Sequence, residues 1–474
     1  MTEIHELSAL DLAAAIRSGQ LSPGEVLDHT LERAERLGPE VGAFAHYTPD
    51  HARGQAQAAT ERLRAGGDLP PFLGVPVPIK DLTMVAGLPF EAGSAAFRGY
   101  VAPVDDGVTT LLEQAGTVMV GKTTTPEVGL PPYTEPDVAP PARSPWDLRR
   151  SAGGSSGGAA AAVAAGIAPV AHGSDGGGSI RIPASASGLV GLKPSRGRIS
   201  KGPHGVDGTG GSTDGVVTRT VRDTAAFLDV LSQPWPGDHY RLPGPRTTFL
   251  DAADRRPDRL RIGVLNDPIT VSSAPVHDSS RAAVERAARV LEGLGHELVE
   301  TTVPFSEEDW AAFQPMWAVG ALSIPIRPEA EELLVPLTRF LRDQGRGVTG
   351  LELLGAITAA QQLARAAART WAGLDVVLTP TLATPSPFIG AMRDDADPVA
   401  DFDAQKAFTP WTSTWNMLGA PAISVPLHRA EVDGVTLPVG VHLGATRLGD
   451  EELLISLAAA LEEADPWPAF APTV

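Results

Sequence analysis

The chain has 474 residues, with 50 glycines, 43 prolines and a hydrophobic fraction of 43%, which excludes a disordered or collagen-like protein and allows a large core in one to three domains. Thirty-eight basic and 57 acidic side chains give a formal charge of −19, which argues against nucleic acid or an anionic membrane as a partner. There is no cysteine, so disulfides, thiol nucleophiles and thiolate metal sites are excluded, and the 11 histidines form no H-E-x-x-H pair. No metal and no cofactor is therefore expected. The opening Met1-Thr2-Glu3-Ile4-His5-Glu6 has no basic leader pattern, and the longest apolar stretch, Gly157 to Ala171, is mostly alanine and too short to cross a bilayer. A cytoplasmic protein is expected.

In chain order, Ser8 caps an apolar helical stripe from Ala9 to Ile16 that stops at Gly19. Ser22-Pro23 opens a second helix with Val26, Leu27, Thr30, Leu31 and Ala34 on one face, and Pro49 to Arg64 reads as a third. Leu73 to Lys80 is a β-like run, Thr109 to Gln114 is helical, and Gly116 to Gly121 reads as a short strand. An Ala-rich helix follows the glycines near residue 157. Residues 240–260 read as a surface loop. Arg261 to Leu265, Glu297 to Val299, Asp375 to Pro380, Ala422 to Pro426 and Leu437 to Leu443 read as strands. The helices among them are Ser279 to Leu294, most of 306–374, and Glu451 to Glu463. Alternating strands and helices predict an α/β fold with a largely buried sheet. One large domain is expected, with N-terminal helices over 1–70, a catalytic core over 71–235, a variable helical region over 236–374 and a return to the core over 375–474.

Gly116-Thr117-Val118-Met119-Val120-Gly121-Lys122-Thr123 matches the phosphate-binding pattern G-x-x-x-x-G-K-[ST]. Its middle residues favour a strand rather than an anion-binding nest, and Pro126 blocks an immediate helix. The segment reads as a strand entering a loop.

The chemistry concentrates in Ser151-Ala152-Gly153-Gly154-Ser155-Ser156-Gly157-Gly158 and in Gly173-Ser174-Asp175-Gly176-Gly177-Gly178-Ser179-Ile180-Arg181-Ile182-Pro183. Two glycine-rich turns each present a serine. Glycines before Ser179 let backbone N–H groups crowd one point, where they can stabilise an oxyanion. A serine nucleophile needs a base, and two candidates stand out: His172, at a strand end, and Lys80, whose burial would depress its pKa toward neutrality. A flexible linker and a phosphate loop are the competing readings, weakened by the interleaved Ile, Val and Leu.

These two runs, closed by Gly191-Leu192-Lys193-Pro194, resemble the signature of the amidase signature family of serine hydrolases. Pro78-Ile79-Lys80-Asp81, Gly121-Lys122-Thr123, Leu378-Thr379-Pro380-Thr381 and Gly419 to Pro426 are similar to further family segments in the same order. The resemblance implies a mixed central sheet covered on both faces by helices. It implies Ser179 as nucleophile, Ser155 as bridging serine after a cis peptide with Gly154, and Lys80 as base. The amides of Gly176, Gly177, Gly178 and Ser179 would frame the oxyanion hole, with Ser156, Ser174, Asp175 and Arg181 in support. Departures from the usual pattern fall at Thr124, Ser174, Gly176 and Ser187, none of them a triad position. The Arg196 to Pro203 continuation resembles bacterial members acting on nylon-oligomer cyclic amides, aryl amides and urethanes. Small, apolar or aryl amide, carbamate or ester substrates follow, with water as co-substrate and a monomer or homodimer as the assembly. Tyr133, Trp317, Phe408, Trp411 and Trp415 are candidates for the pocket wall, with core packing as the competing role for each. A glutaminase subunit of a tRNA-dependent amidotransferase and a catalytically silent binding module are the alternatives. Ile182 argues against the first, and the filled triad positions argue against the second.

Overall fold

The N-terminal helices start where their caps stand in the sequence. In the computed structural model, which describes residues 3–471, Ser8 accepts the Asp11 amide at the head of helix Ala9–Arg17. Ser22 and Glu25 form a reciprocal capping box at the head of helix Pro23–Val41, whose face of Val26, Leu27, Thr30, Leu31 and Ala34 is buried. Helix Pro49–Ala65 completes the trio. Met1 and Thr2, where the leader reading began, lie outside the described residues.

The core is an eight-stranded sheet in the order Glu297–Glu300, Arg261–Val264, Val376–Pro380, Val435–Ala445, Ala422–Val432, Val190–Lys193, Thr213–Thr218, Val170–Asp175. The first three strands are mutually parallel and every later junction is antiparallel, so the sheet is mixed. Side chains alternate between its faces. Val216 joins the cluster that holds Val221, Phe227, Val284 and Leu454 of three helices. Its neighbour Val217 joins Ala160, Val163, Ile180 and Ala184, around the helices Gly157–Ala164 and Arg181–Ser187. Both faces are thus covered, and the elements form one domain. Among the described residues no helix is long and apolar enough to cross a membrane.

Four sequence expectations are corrected. The run Leu73 to Lys80 is strand only at Ile79–Lys80, with an isolated bridge from Pro76 to Val118. Pro76 and Pro78 lack the N–H that a ladder needs. For the same reason the facing strand is Gly121–Thr123 and not 116–121. These short strands form a separate sheet with Phe44–Tyr47. Within 240–260, Thr248 and Asp251 cap a helical turn, Phe249–Ala253, that buries Phe249. The two late strands are longer than expected because they form one hairpin. Asp433 and Gly434 both take positive φ, 51° and 77°, as a two-residue turn of this hand requires.

Candidate active site

Lys80 ends the strand Ile79–Lys80 and is fully buried. Its Nζ lies 2.8 Å from Ser155 Oγ and 3.1 Å from Ser174 Oγ. Burial drives its pKa down to about 7, against the opposing fields of Asp214 and Asp175. A lysine of this kind is substantially neutral at physiological pH and can accept a proton. The other candidate base, His172, is buried within strand Val170–Asp175 and faces Asp214, not a serine.

Ser155 lies in the turn before helix Gly157–Ala164, and the Gly154–Ser155 peptide is cis. The turn is packed from outside. A Cβ on Gly154 would stand 2.7 Å from the backbone of Pro132 and Tyr133. Thr134 Oγ1 donates to the Gly153 carbonyl. Ser156 Oγ accepts the Ser174 amide at 3.3 Å, and the Ser156 amide donates to the Ser179 carbonyl at 3.2 Å, so the two serine turns are tied to each other.

Asp175 shapes the second turn. Its carboxylate accepts the amides of Gly178 at 2.7 Å and Ile180 at 3.2 Å, and the Arg181 guanidinium through two bonds of 2.9 Å. Burial opposes the Asp175 charge, yet Arg181 and Asn416 hold its carboxyl far below the usual carboxylate range. Arg181 also donates to the Thr412 carbonyl and to Asn416 Oδ1, which anchors the turn to helix Thr412–Leu418. Asp175 and Arg181 therefore orient the loop. Thr412 and Asn416 were not legible as site residues, because their partners lie more than 200 positions away in the chain.

One oxyanion-hole expectation changes. The Gly178 amide is taken by Asp175 and is not free for an oxyanion. The amides of Gly176, Gly177 and Ser179 carry no hydrogen bond among the described residues. Gly178 is required for another reason: its φ is +135°, and a Cβ would stand 2.5 Å from Thr412 Oγ1 and 2.6 Å from Ile182 Cδ1. Gly178→Ala is expected to lower thermal stability and cut turnover at least tenfold. Unchanged melting and activity would show that the turn tolerates the methyl group.

Ser179 opens onto a cleft enclosing about 930 Å³ of empty space, part of it open to solvent. Leu130, Ile182, Val271, Trp310, Phe313, Trp317 and Phe402 make the lining largely apolar, with Gln314, Gln405, Glu307 and Lys406 as polar members. Trp317 stands on the cleft, its ring 3.6 Å from the place a Gly177 Cβ would take. The other four expected wall residues are absent from the lining. Tyr133 is buried and donates to Asp401 at 2.7 Å. Phe408 packs on Ala186 and Leu382. Trp411 bonds the Asp267 carbonyl, and Trp415 bonds the Ala445 carbonyl and stacks on Trp371. Buried indole N–H groups need acceptors, and carbonyls of the core supply them. The missed wall residues Trp310 and Phe313 precede Trp317 at the spacing i, i+3, i+7, although a break at 312–313 puts Trp310 on helix Glu307–Ala311 and Trp317 on helix Gln314–Ser323; the spacing marks burial but not what is buried against it.

The phosphate-loop match is a strand entering a loop. Lys122 is fully buried and paired with Asp81 at 2.8 Å. Among the described residues no cluster of three or more His, Asp or Glu side chains is placed to hold a metal ion.

The Amidase family model matches residues 25–454. The 6-aminohexanoate-cyclic-dimer hydrolase of Paenarthrobacter ureafaciens is 35% identical over 484 residues, covering 97% of this chain and 95% of the relative. A solved 6-aminohexanoate cyclic dimer hydrolase complexed with substrate superposes with a TM-score of 0.88 at 32% identity, covering 98% of each chain. A bacterial aryl acylamidase superposes with a TM-score of 0.84 at 28% identity, again over 98% of each. The chain belongs to the amidase signature family and is an amide hydrolase.

Proposed function

We propose that this protein hydrolyses carboxylic amides of small, largely apolar or aryl substrates through an acyl-enzyme on Ser179, and that carbamates and esters are cleaved by the same chemistry. The observation that carries this reading is the Lys80 amine, 2.8 Å from Ser155 Oγ, in a turn whose Ser156 amide donates to the carbonyl of Ser179, the serine on the apolar cleft. Neutral Lys80 takes the Ser155 proton while Ser155 takes that of Ser179. Ser179 Oγ then bonds to the carbonyl carbon, and the oxyanion faces the amides of Gly176, Gly177 and Ser179. Collapse breaks the C–N bond, and the relay returns the proton to the departing amine. Water, deprotonated through the same relay, splits the acyl-enzyme to the carboxylic acid. The similarity to a cyclic-amide hydrolase and an aryl acylamidase supports an uncharged acyl group in the cleft.

The test is a panel of p-nitroanilide, carbamate and ester substrates, with Ser179→Ala as control and a fluorophosphonate probe for Ser179. Labelling and turnover that both survive in Ser179→Ala would overturn the reading. Because the base must be neutral, kcat/KM is expected to rise with pH through about 7 and level off above it. A profile falling across that range would point to a different base.

A further inference from the structure

Ser174, whose Oγ lies 3.1 Å from Lys80 Nζ, pairs in register with Asp214 on the adjacent strand. His172, two residues before Ser174, shares its face of the sheet, and cross-strand partners share a face too. Ser174, His172 and Asp214 thus lie on one side of the sheet, the side that meets Lys80. The Asp214 carboxylate has two close neighbours: Lys201 Nζ at 2.8 Å and His172 Nε2 at 3.4 Å. Lys201 and Asp214 line a second cleft together with Asp106, Ser200 and Ser212. Neither lines the Ser179 cleft.

The other charges around Lys80 are engaged elsewhere. Asp175 is paired with Arg181. On the strand beside Lys80, Lys122 is paired with Asp81, and His46 stands 3.9 Å from Asp81 and 3.7 Å from Glu91. Glu127 accepts from Ser94 and from the Val335 amide, and Asp106 accepts the Met84 amide.

We propose that Asp214 and Lys201 are positioning residues for the amide hydrolysis: Asp214 holds the proton on Lys80, and Lys201 offsets Asp214 so that the proton can leave. The inference rests on the reading of Lys80 as base. Burial is the largest influence lowering Lys80. The field of Asp214 is the strongest one opposing it, and Lys201 acts in the lowering direction. Two opposite charges this close nearly cancel at a distance, so removing one uncovers the other.

The experiment measures the rate of Ser179 modification by a fluorophosphonate, and kcat/KM, across pH in four proteins. These are the wild type, Lys201→Met, Asp214→Asn and the double variant. Lys201→Met is expected to move the midpoint to higher pH by about half to one unit, and Asp214→Asn to lower pH by a similar amount. The double variant is expected to return close to wild type, and all four to converge in rate well above the midpoint. At pH 6.5 the methionine variant should react roughly two- to eightfold more slowly than wild type, the fold-change that this shift of a midpoint near 7 gives there. Lys201→Gln repeats the sign test if the methionine variant does not fold. Midpoints that stay put in both variants, or that move the same way, overturn the proposal. A wild-type profile with no ionisation near neutrality, or a Lys80→Met variant labelled at the wild-type rate, overturns the base assignment and this inference with it.

Discussion

Ser179→Ala is expected to lower kcat on p-nitroanilide substrates by roughly 10⁴–10⁶-fold while leaving the protein folded, because residues that act as one relay fail together. Lys80→Met is expected to lose almost as much, since the methionine fills the buried space but offers Ser155 no proton acceptor 2.8 Å away. The double variant should be no slower than the worse single one. Additive losses would mean that the two residues act independently and would break the relay into unconnected parts. Circular dichroism and melting curves close to wild type are needed in the same experiment. A Ser179→Ala enzyme at full rate would remove the nucleophile assignment outright.

Arg181→Met is expected to be the most damaging substitution outside the relay. Arg181 is fully buried, and its guanidinium joins Asp175, Thr412, Asn416 and His442. Without it the Asp175 carboxylate stays buried with its main counter-charge gone, and breaking such a pair costs about 3–5 kcal/mol. The same carboxylate orders the Gly178 and Ile180 amides, so the turn that presents Ser179 loosens as well. A loss of free oxyanion donors costs on the order of 10²–10³ in kcat. A lowered melting temperature together with this rate loss is the expected result. A variant that melts and turns over like wild type would show that the turn is held without the ion pair.

The two glycine-rich turns that carry Ser155 and Ser179 were legible because their glycines stand within a few positions of each serine. Gly178 takes a φ of +135°, an angle that favours glycine and is written in the residue itself, whereas its close approach to Thr412 is not. Ser8 and Ser22 announce their helices because a cap acts within one turn. The pocket wall was much less legible. Trp317 faces the cleft, whereas Trp411 and Trp415 are core. An indole next to a cavity and an indole in a core have the same composition and periodicity. They differ only in whether a packed neighbour or empty space lies on the far side of the ring. The apolar pattern of Leu73 to Lys80 is likewise β-like throughout, but Pro76 and Pro78 cannot donate to a ladder, so only Ile79–Lys80 is strand.

The resemblance to the amidase signature family, the caps and spans of most helices, and the two turns that carry Ser155 and Ser179 are all legible in the chain. Each of these depends on neighbours a few positions apart. Which charges meet Lys80, which amide Asp175 takes and which aromatics border the cleft depend on the folded arrangement. The strand order brings Asp214 beside Ser174 and the late hairpin against Val190–Lys193, contacts between residues far apart in the chain. Burial then raises the cost of an unpaired charge, so a lysine that is an ordinary cation in the sequence becomes, in its place beside Ser155, an amine whose pKa is pushed down to about 7.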